Sequence, residues 1–154
     1  MKNTIILLTM LLFSGIGFAQ ESNNGKQLWA KSFLNEKAPE LTVETWISKK
    51  PDTEGKFVII DFWATWCGPC RKAIPELNEI AKEFSKDVVV IGISDEPVEK
   101  IKAMKEPVIE YYYGVDTKKT MDKILEIKGI PHVIIIDPKG IVRWEGFPLL
   151  ENHK

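Results

Sequence analysis

The chain has 154 residues, 44% hydrophobic and 28% charged, with 21 Lys+Arg against 22 Asp+Glu and two cysteines. That length suits one domain, and the composition excludes a disordered chain, a collagen-like repeat and a multi-span membrane protein. The near-neutral balance lacks the basic footprint of a nucleic-acid binder, and two cysteines alone can neither build a multi-disulfide framework nor close a four-ligand zinc site.

Met1-Lys2-Asn3 is a short, positively charged start, and Thr4 to Phe13 is almost wholly apolar. Small residues follow, Ser14, Gly15 and Gly17, ending at Ala19. This is the three-part layout of a secretory signal peptide, with cleavage expected after Ala19. A spanning helix needs about 20 apolar residues, more than Thr4 to Ala19 supplies, so no stable membrane anchor is expected once the leader is cut. No cysteine follows the run to carry a lipid. The compartment implied is the bacterial periplasm, which tolerates disulfides. The expected organisation is a leader over 1–19, a lead-in over 20–36 with Trp29 and Phe33 as packing anchors, and a folded domain over 37–154.

Leu41-Thr42-Val43 reads as a short strand and Pro51 to Gly55 as a turn. Phe57 to Trp63 is apolar except for Asp61, which suits a strand covered on both faces. Cys70, Ala73, Ile74, Leu77, Ile80, Ala81 and Phe84 recur at helical spacing, with Pro75 expected to kink the helix. Val88 to Ile93 is a second buried strand. Asp95 is expected to cap a helix running through Lys105, and Val108 to Tyr113 to be a short extended piece. Thr117 to Lys128 reads as a helix with Met121, Ile124 and Leu125 inward and Gly129 as its stop. Val133 to Ile136 and Ile141 to Trp144 are strands joined by the Asp137-Pro138-Lys139-Gly140 turn. The alternation predicts an α/β domain with a central sheet.

The chemistry is expected at Trp66-Cys67-Gly68-Pro69-Cys70, which follows a strand and opens a helix. Unpaired N–H groups and the helix dipole stabilise a thiolate at Cys67, lowering its pKa from the free value of about 8.5. Cys70 begins the inward stripe, so it is expected to be the more buried thiol. Cys67 would then attack a substrate disulfide, and Cys70 would resolve the mixed disulfide. Pro69 stiffens the loop, and Gly68 avoids crowding the incoming partner. A structural bridge over so short a loop removes little unfolded-chain entropy, which favours a redox pair. A thiol-based copper carrier using Cys67, Cys70 and His132 is the alternative, since soft thiolates suit Cu(I). Asp61, the one charge in its strand, is expected to be buried with a raised pKa and to exchange the Cys70 proton. The default cis frequency of about 5–6% does not by itself assign a cis bond at Ile130-Pro131.

Val58 to Cys70, ending in Asp61-Phe62-Trp63-Ala64-Thr65-Trp66-Cys67-Gly68-Pro69-Cys70, resembles the active-site segment of thioredoxins, and Pro75 their helix-kinking proline. Gly129-Ile130-Pro131, followed by Val133 to Asp137, resembles their cis-proline strand. The leader, Lys37-Ala38-Pro39-Glu40 and the segment Val98 to Tyr113 are similar to the exported TlpA/ResA-like branch. The resemblance implies a thioredoxin fold, a central mixed sheet flanked by helices, with an N-terminal extension and an insertion between a central strand and helix. The helix that normally closes the family's C-terminus has no counterpart before Lys154. By position, Cys67 matches the attacking thiol, Cys70 the resolving thiol and Asp61 the buried carboxylate. Trp66 matches the flanking ring, and Pro131 the cis proline whose neighbouring backbone, at Ile130, pairs with substrate. A thiol-tuning glutamate of this branch falls near Asp95 or Glu96. His132 departs from the family's small polar residue and is expected to point to solvent, the alternative being a hydrogen bond near the thiols. The implied activity is reduction of disulfides in exported proteins, recharged by a membrane thiol donor, with no cofactor beyond the Cys67–Cys70 disulfide and no metal. Apocytochrome thiols, other exported proteins and small disulfides remain open as substrates.

Overall fold

A computed structural model describes residues 28–148; the expected leader and its cleavage point lie outside them. The elements in chain order are β1 (Thr45–Trp46), β2 (Phe57–Phe62), α1 (Gly68–Glu83), β3 (Val88–Ser94), α2 (Val98–Ala103), β4 (Tyr112–Val115), α3 (Thr120–Leu125), β5 (His132–Ile136) and β6 (Val142–Gly146). The strands form one mixed sheet in the order β1-β4-β3-β2-β5-β6. β2, β3 and β4 run parallel, while β1, β5 and β6 pair antiparallel with their neighbours. The α/β architecture with a central mixed sheet is the expected one.

Both faces of β2 are covered, which is why its apolar run does not alternate. Ile59 and Trp63 pack with Val90 and Val133 beneath the inward stripe of α1, Cys70, Ala73, Ile74 and Leu77. Val58, Ile60 and Phe62 face the other way and pack with Ile91, Ile93 and Ile134 under Met121 and Leu125 of α3. Pro75 lies inside α1 as expected. Among the described residues no helix follows β6. An apolar groove lined by Ile59, Leu77, Ile80, Val133, Ile135 and Trp144 lies between α1 and the β5–β6 side of the sheet.

Several elements differ from the sequence reading. Leu41 to Val43 is not a strand; Leu41 and Val43 pack against the α3-side core. The pairing falls at Thr45 and Trp46, opposite Val115 and Gly114. Gly114 lets those backbones meet, since a Cβ there would lie 2.6 Å from Val43 Cγ1 and 2.7 Å from the Thr45 carbonyl. α2 begins after Pro97, not Asp95, whose carboxylate instead takes Lys119 Nζ at 2.6 Å. α2 buries only Ile101 and ends at Ala103, because so narrow an apolar face supports no longer helix. α3 is shorter than Thr117 to Lys128. Asp116 Oδ2 accepts the Met121 N–H at 2.7 Å at its start, and Glu126, in a left-handed conformation (φ 49°), ends it before Gly129. Ile124 is 39% exposed, not inward. Trp29, expected as an anchor, is also well exposed and rests against Gly129. Phe33 is partly buried against the α3-side core.

Residues 104–111 form no regular element but are tied to α1. Arg71 Nη2 donates to the Glu106 carbonyl at 2.7 Å and Asn78 Nδ2 to the Val108 carbonyl at 2.9 Å. The Glu110 N–H donates to Asn78 Oδ1 at 2.8 Å. This strap delivers Tyr111 to the α1-side core just before β4.

Candidate active site

Cys67 is the N-cap of α1, in extended conformation, and its Sγ accepts the Cys70 N–H at 3.2 Å. The sulfur therefore takes one of the donors that a helix start leaves unpaired. Cys67 and Cys70 are joined by a disulfide with Cα atoms 5.3 Å apart. Cys70 is fully buried and Cys67 is 4% exposed, the order the inward stripe predicts. Trp66 stands out at 69% exposure beside exposed Gly68 and Pro69. The Ile130–Pro131 peptide is cis, and the base rate alone could not have indicated it. Pro131 is buried and leads into β5, while Ile130 and Trp66 line the same surface pocket.

Asp61 pairs in register with Gly92 on β3 and Val133 on β5, and strand parity puts it on the α1 side with Ile59 and Trp63. It is fully buried. Burial pushes its carboxyl up from 3.8 to about 7, opposed by a hydrogen bond from Tyr111. A shift of that size corresponds to about 4 kcal/mol of penalty on the charged form. The carboxyl is thus poised to give or take a proton near neutral pH.

Glu96, not Asp95, reaches the active-site loop. Its Oε2 accepts the Thr65 N–H at 2.6 Å, its Oε1 accepts the Thr65 hydroxyl at 3.0 Å, and Lys100 Nζ lies 2.6 Å from Oε1. Burial opposes the charge, yet the bonds from Lys100 and Thr65 outweigh it and hold Glu96 below the ordinary glutamate value. The carboxylate anchors the loop two residues before Cys67.

His132 does not point to solvent. It is 2% exposed, pairs in register with Phe62, and stacks on that ring at 6.1 Å between centroids. Its parity is that of Ile134 and Ile136, on the α3 side, opposite the face α1 covers. α3 hides this second face, so a strand residue there is buried. The trio of the alternative copper reading, Cys67, Cys70 and His132, is therefore not brought together, and among the described residues no three His, Cys, Asp or Glu side chains form a metal-holding group.

Tyr111 is the site residue that the sequence reading missed. Its hydroxyl donates to Asp61 Oδ2 at 3.4 Å. The signal for it was Gly92, since a glycine inside a strand marks a close approach by another group.

Residues 34–145 match the model of the AhpC/TSA family. The thiol-disulfide oxidoreductase ResA of Bacillus subtilis is 26% identical over 111 residues, 68% of this chain and 62% of that protein. The thiol:disulfide interchange protein DsbE of Pseudomonas aeruginosa is 29% identical over 154 residues, 93% of this chain and 83% of that protein. Among solved structures, the thioredoxin domain of a thiol-disulfide oxidoreductase from Bacteroides vulgatus matches with a TM-score of 0.63 and 29% identity. That match covers 73% of this chain and 86% of the other.

Proposed function

The chain belongs to the AhpC/TSA family, and on that premise we propose that it is an exported thiol–disulfide oxidoreductase that reduces disulfides of periplasmic proteins. The observation that carries this reading is the Cys67–Cys70 disulfide at the α1 N-cap, with the fully buried Asp61 on the face that α1 covers.

In the reduced protein, the Cys67 thiolate is stabilised by the Cys70 N–H and the helix start. It attacks one sulfur of a substrate disulfide. A Cys67–substrate bond forms, the substrate S–S bond breaks, and the departing thiolate takes up a proton. Cys70 then gives its proton to Asp61 and attacks Cys67 Sγ. The Cys67–Cys70 bond forms and the second substrate thiolate leaves, so two electrons have passed to the substrate. A membrane thiol donor restores the dithiol, with Asp61 returning the proton to Cys70. Trp66, Gly68 and Pro69 form the exposed rim that receives the substrate chain, and the Ile130 backbone beside cis Pro131 pairs with it. Glu96 tunes the Cys67 thiol by fixing the loop through Thr65. Residues 1–19 act as the export signal, with 20–36 as a lead-in to the 37–154 domain. The names of the relatives, a thiol-disulfide oxidoreductase and a thiol:disulfide interchange protein, support the exchange activity. Exported apocytochromes fall within the substrate class.

The test is reduction of a disulfide-containing protein with dithiothreitol as electron source, across defined potentials. The wild type should accelerate it, and Cys67→Ser should lose at least a hundredfold of that acceleration. A Cys67→Ser rate equal to wild type would reject the reading, and a midpoint on the strongly oxidising side would reject the reducing direction.

A further inference from the structure

We propose that Tyr111 is a positioning residue for the exchange reaction, its phenol holding Oδ2 of Asp61 and leaving Oδ1 as the oxygen that exchanges the Cys70 proton. The inference rests on the role proposed for Asp61 above.

The arrangement begins with Gly92. The β2–β3 register sets Gly92 directly beside Asp61, on the face covered by α1. A Cβ at Gly92 would lie 3.0 Å from Tyr111 Cε2 and 3.0 Å from Trp63 Nε1. A missing side chain on β3 therefore gives the Tyr111 ring its place. The strap held by Asn78 brings Tyr111 there, and the residue is 4% exposed. Its hydroxyl donates to Asp61 Oδ2 at 3.4 Å, longer than the usual 2.5–3.0 Å for such bonds. Asp61 Oδ1 has no hydrogen-bond partner among the described residues, and neither has Trp63 Nε1. Tyr111 is thus the one donor to this carboxyl among the described residues.

The other groups around Asp61 do not compete for this role. β3 presents Gly92, β5 presents Val133, and α1 presents Cys70, Ala73 and Ile74. Cys67 lies in the same core. Glu96 is committed to Thr65 and Lys100, and His132 faces the opposite side. Tyr113 of β4, in register with Gly92, also packs against the α1-side core, but among the described residues only Tyr111 hydrogen-bonds Asp61. Burial, and then the Asp61 charge, push the Tyr111 hydroxyl well above 10, so the phenol remains a donor throughout the working range. A donor to one oxygen favours the carboxylate and fixes its rotation, which a phenylalanine ring of the same shape cannot do.

The test uses Tyr111→Phe in two measurements. In the oxidised protein the cysteines do not titrate, so the Asp61 carboxyl can be followed by carbon NMR without coupling to a thiol. Loss of the hydroxyl should raise its titration midpoint by about 0.5–1 pH unit, with thermal unfolding little changed at acid pH, where Asp61 is protonated in both folded proteins. In the reduced protein, the pH inflection of mixed-disulfide resolution should move up by the same amount. Gly92→Ala, which crowds the ring, should shift the midpoint in the same direction. A Tyr111→Phe midpoint equal to wild type overturns the proposal while leaving the Asp61 role intact. That role is checked separately by Asp61→Asn, which should abolish the resolution inflection; an unaltered profile would overturn both.

Discussion

Asp61 and His132 sit on adjoining strands yet face opposite sides of the sheet, and burial acts on them with opposite sign. Burial drives His132 down from 6.5 to about 4, with Glu145 opposing. The folded protein keeps the ring neutral while the unfolded chain takes a proton, so stability is lost as pH falls from about 6.5 to about 4. Asp61 is raised instead, so its contribution is fully present below about 4 and lost as pH rises toward about 7. The two dependences overlap, and a comparison with a variant separates them. His132→Asn should gain on wild type in unfolding free energy by about 3 kcal/mol between pH 7 and pH 4, measured by urea titration. A constant gap across that range would show that His132 is not held neutral. Asp61 was legible because a lone charge in an unbroken apolar run must be buried. His132 was not, because parity says which face a residue takes but not whether a helix covers it. Tyr111 was hidden among three consecutive tyrosines, and only its approach to Gly92 singles it out.

Elements were legible in proportion to the apolar face they bury. α1 buries Cys70, Ala73, Ile74 and Leu77, and spacing marked it as a helix, although Phe84, counted in that stripe, is its exposed C-cap. α2 and α3 are six residues each, and their ends are set by a proline, by the Asp116 carboxylate and by left-handed residues, not by periodicity. β1 is two residues long and depends on a backbone approach that only the folded register reveals. That approach gives a direct check. At Gly114 an added Cβ would meet Val43 Cγ1 at 2.6 Å and the Thr45 carbonyl at 2.7 Å, and a backbone carbonyl cannot swing aside. Gly114→Ala should therefore destabilise the domain by about 1–3 kcal/mol in chemical denaturation. Because the site lies across the sheet from β1, the exchange activity of the folded fraction should be retained. A neutral effect on stability would mean that the β1–β4 edge is not packed as described.

At the scale of the molecule, the sheet order and the two cores place the disulfide at the N-terminal end of α1, above β2 with its buried Asp61. The thioredoxin architecture was readable from the family resemblance of two segments far apart in sequence, Val58 to Cys70 and Gly129 to Asp137, which the fold sets on neighbouring strands β2 and β5 and the loops beside them. An open apolar groove lies between α1 and the β5–β6 side of the sheet, and among the described residues no helix follows β6. The proposed mechanism divides the labour between the thiols: Cys67, 4% exposed, attacks and the fully buried Cys70 resolves. Cys70→Ser removes the resolving thiol and should trap the intermediate. Purified from cells under non-reducing conditions, this variant should carry a partner protein in a disulfide that peptide mapping places on Cys67, while Cys67→Ser carries none. Absence of any adduct on Cys67, or an equal yield attached through Cys70 in Cys67→Ser, would contradict the account.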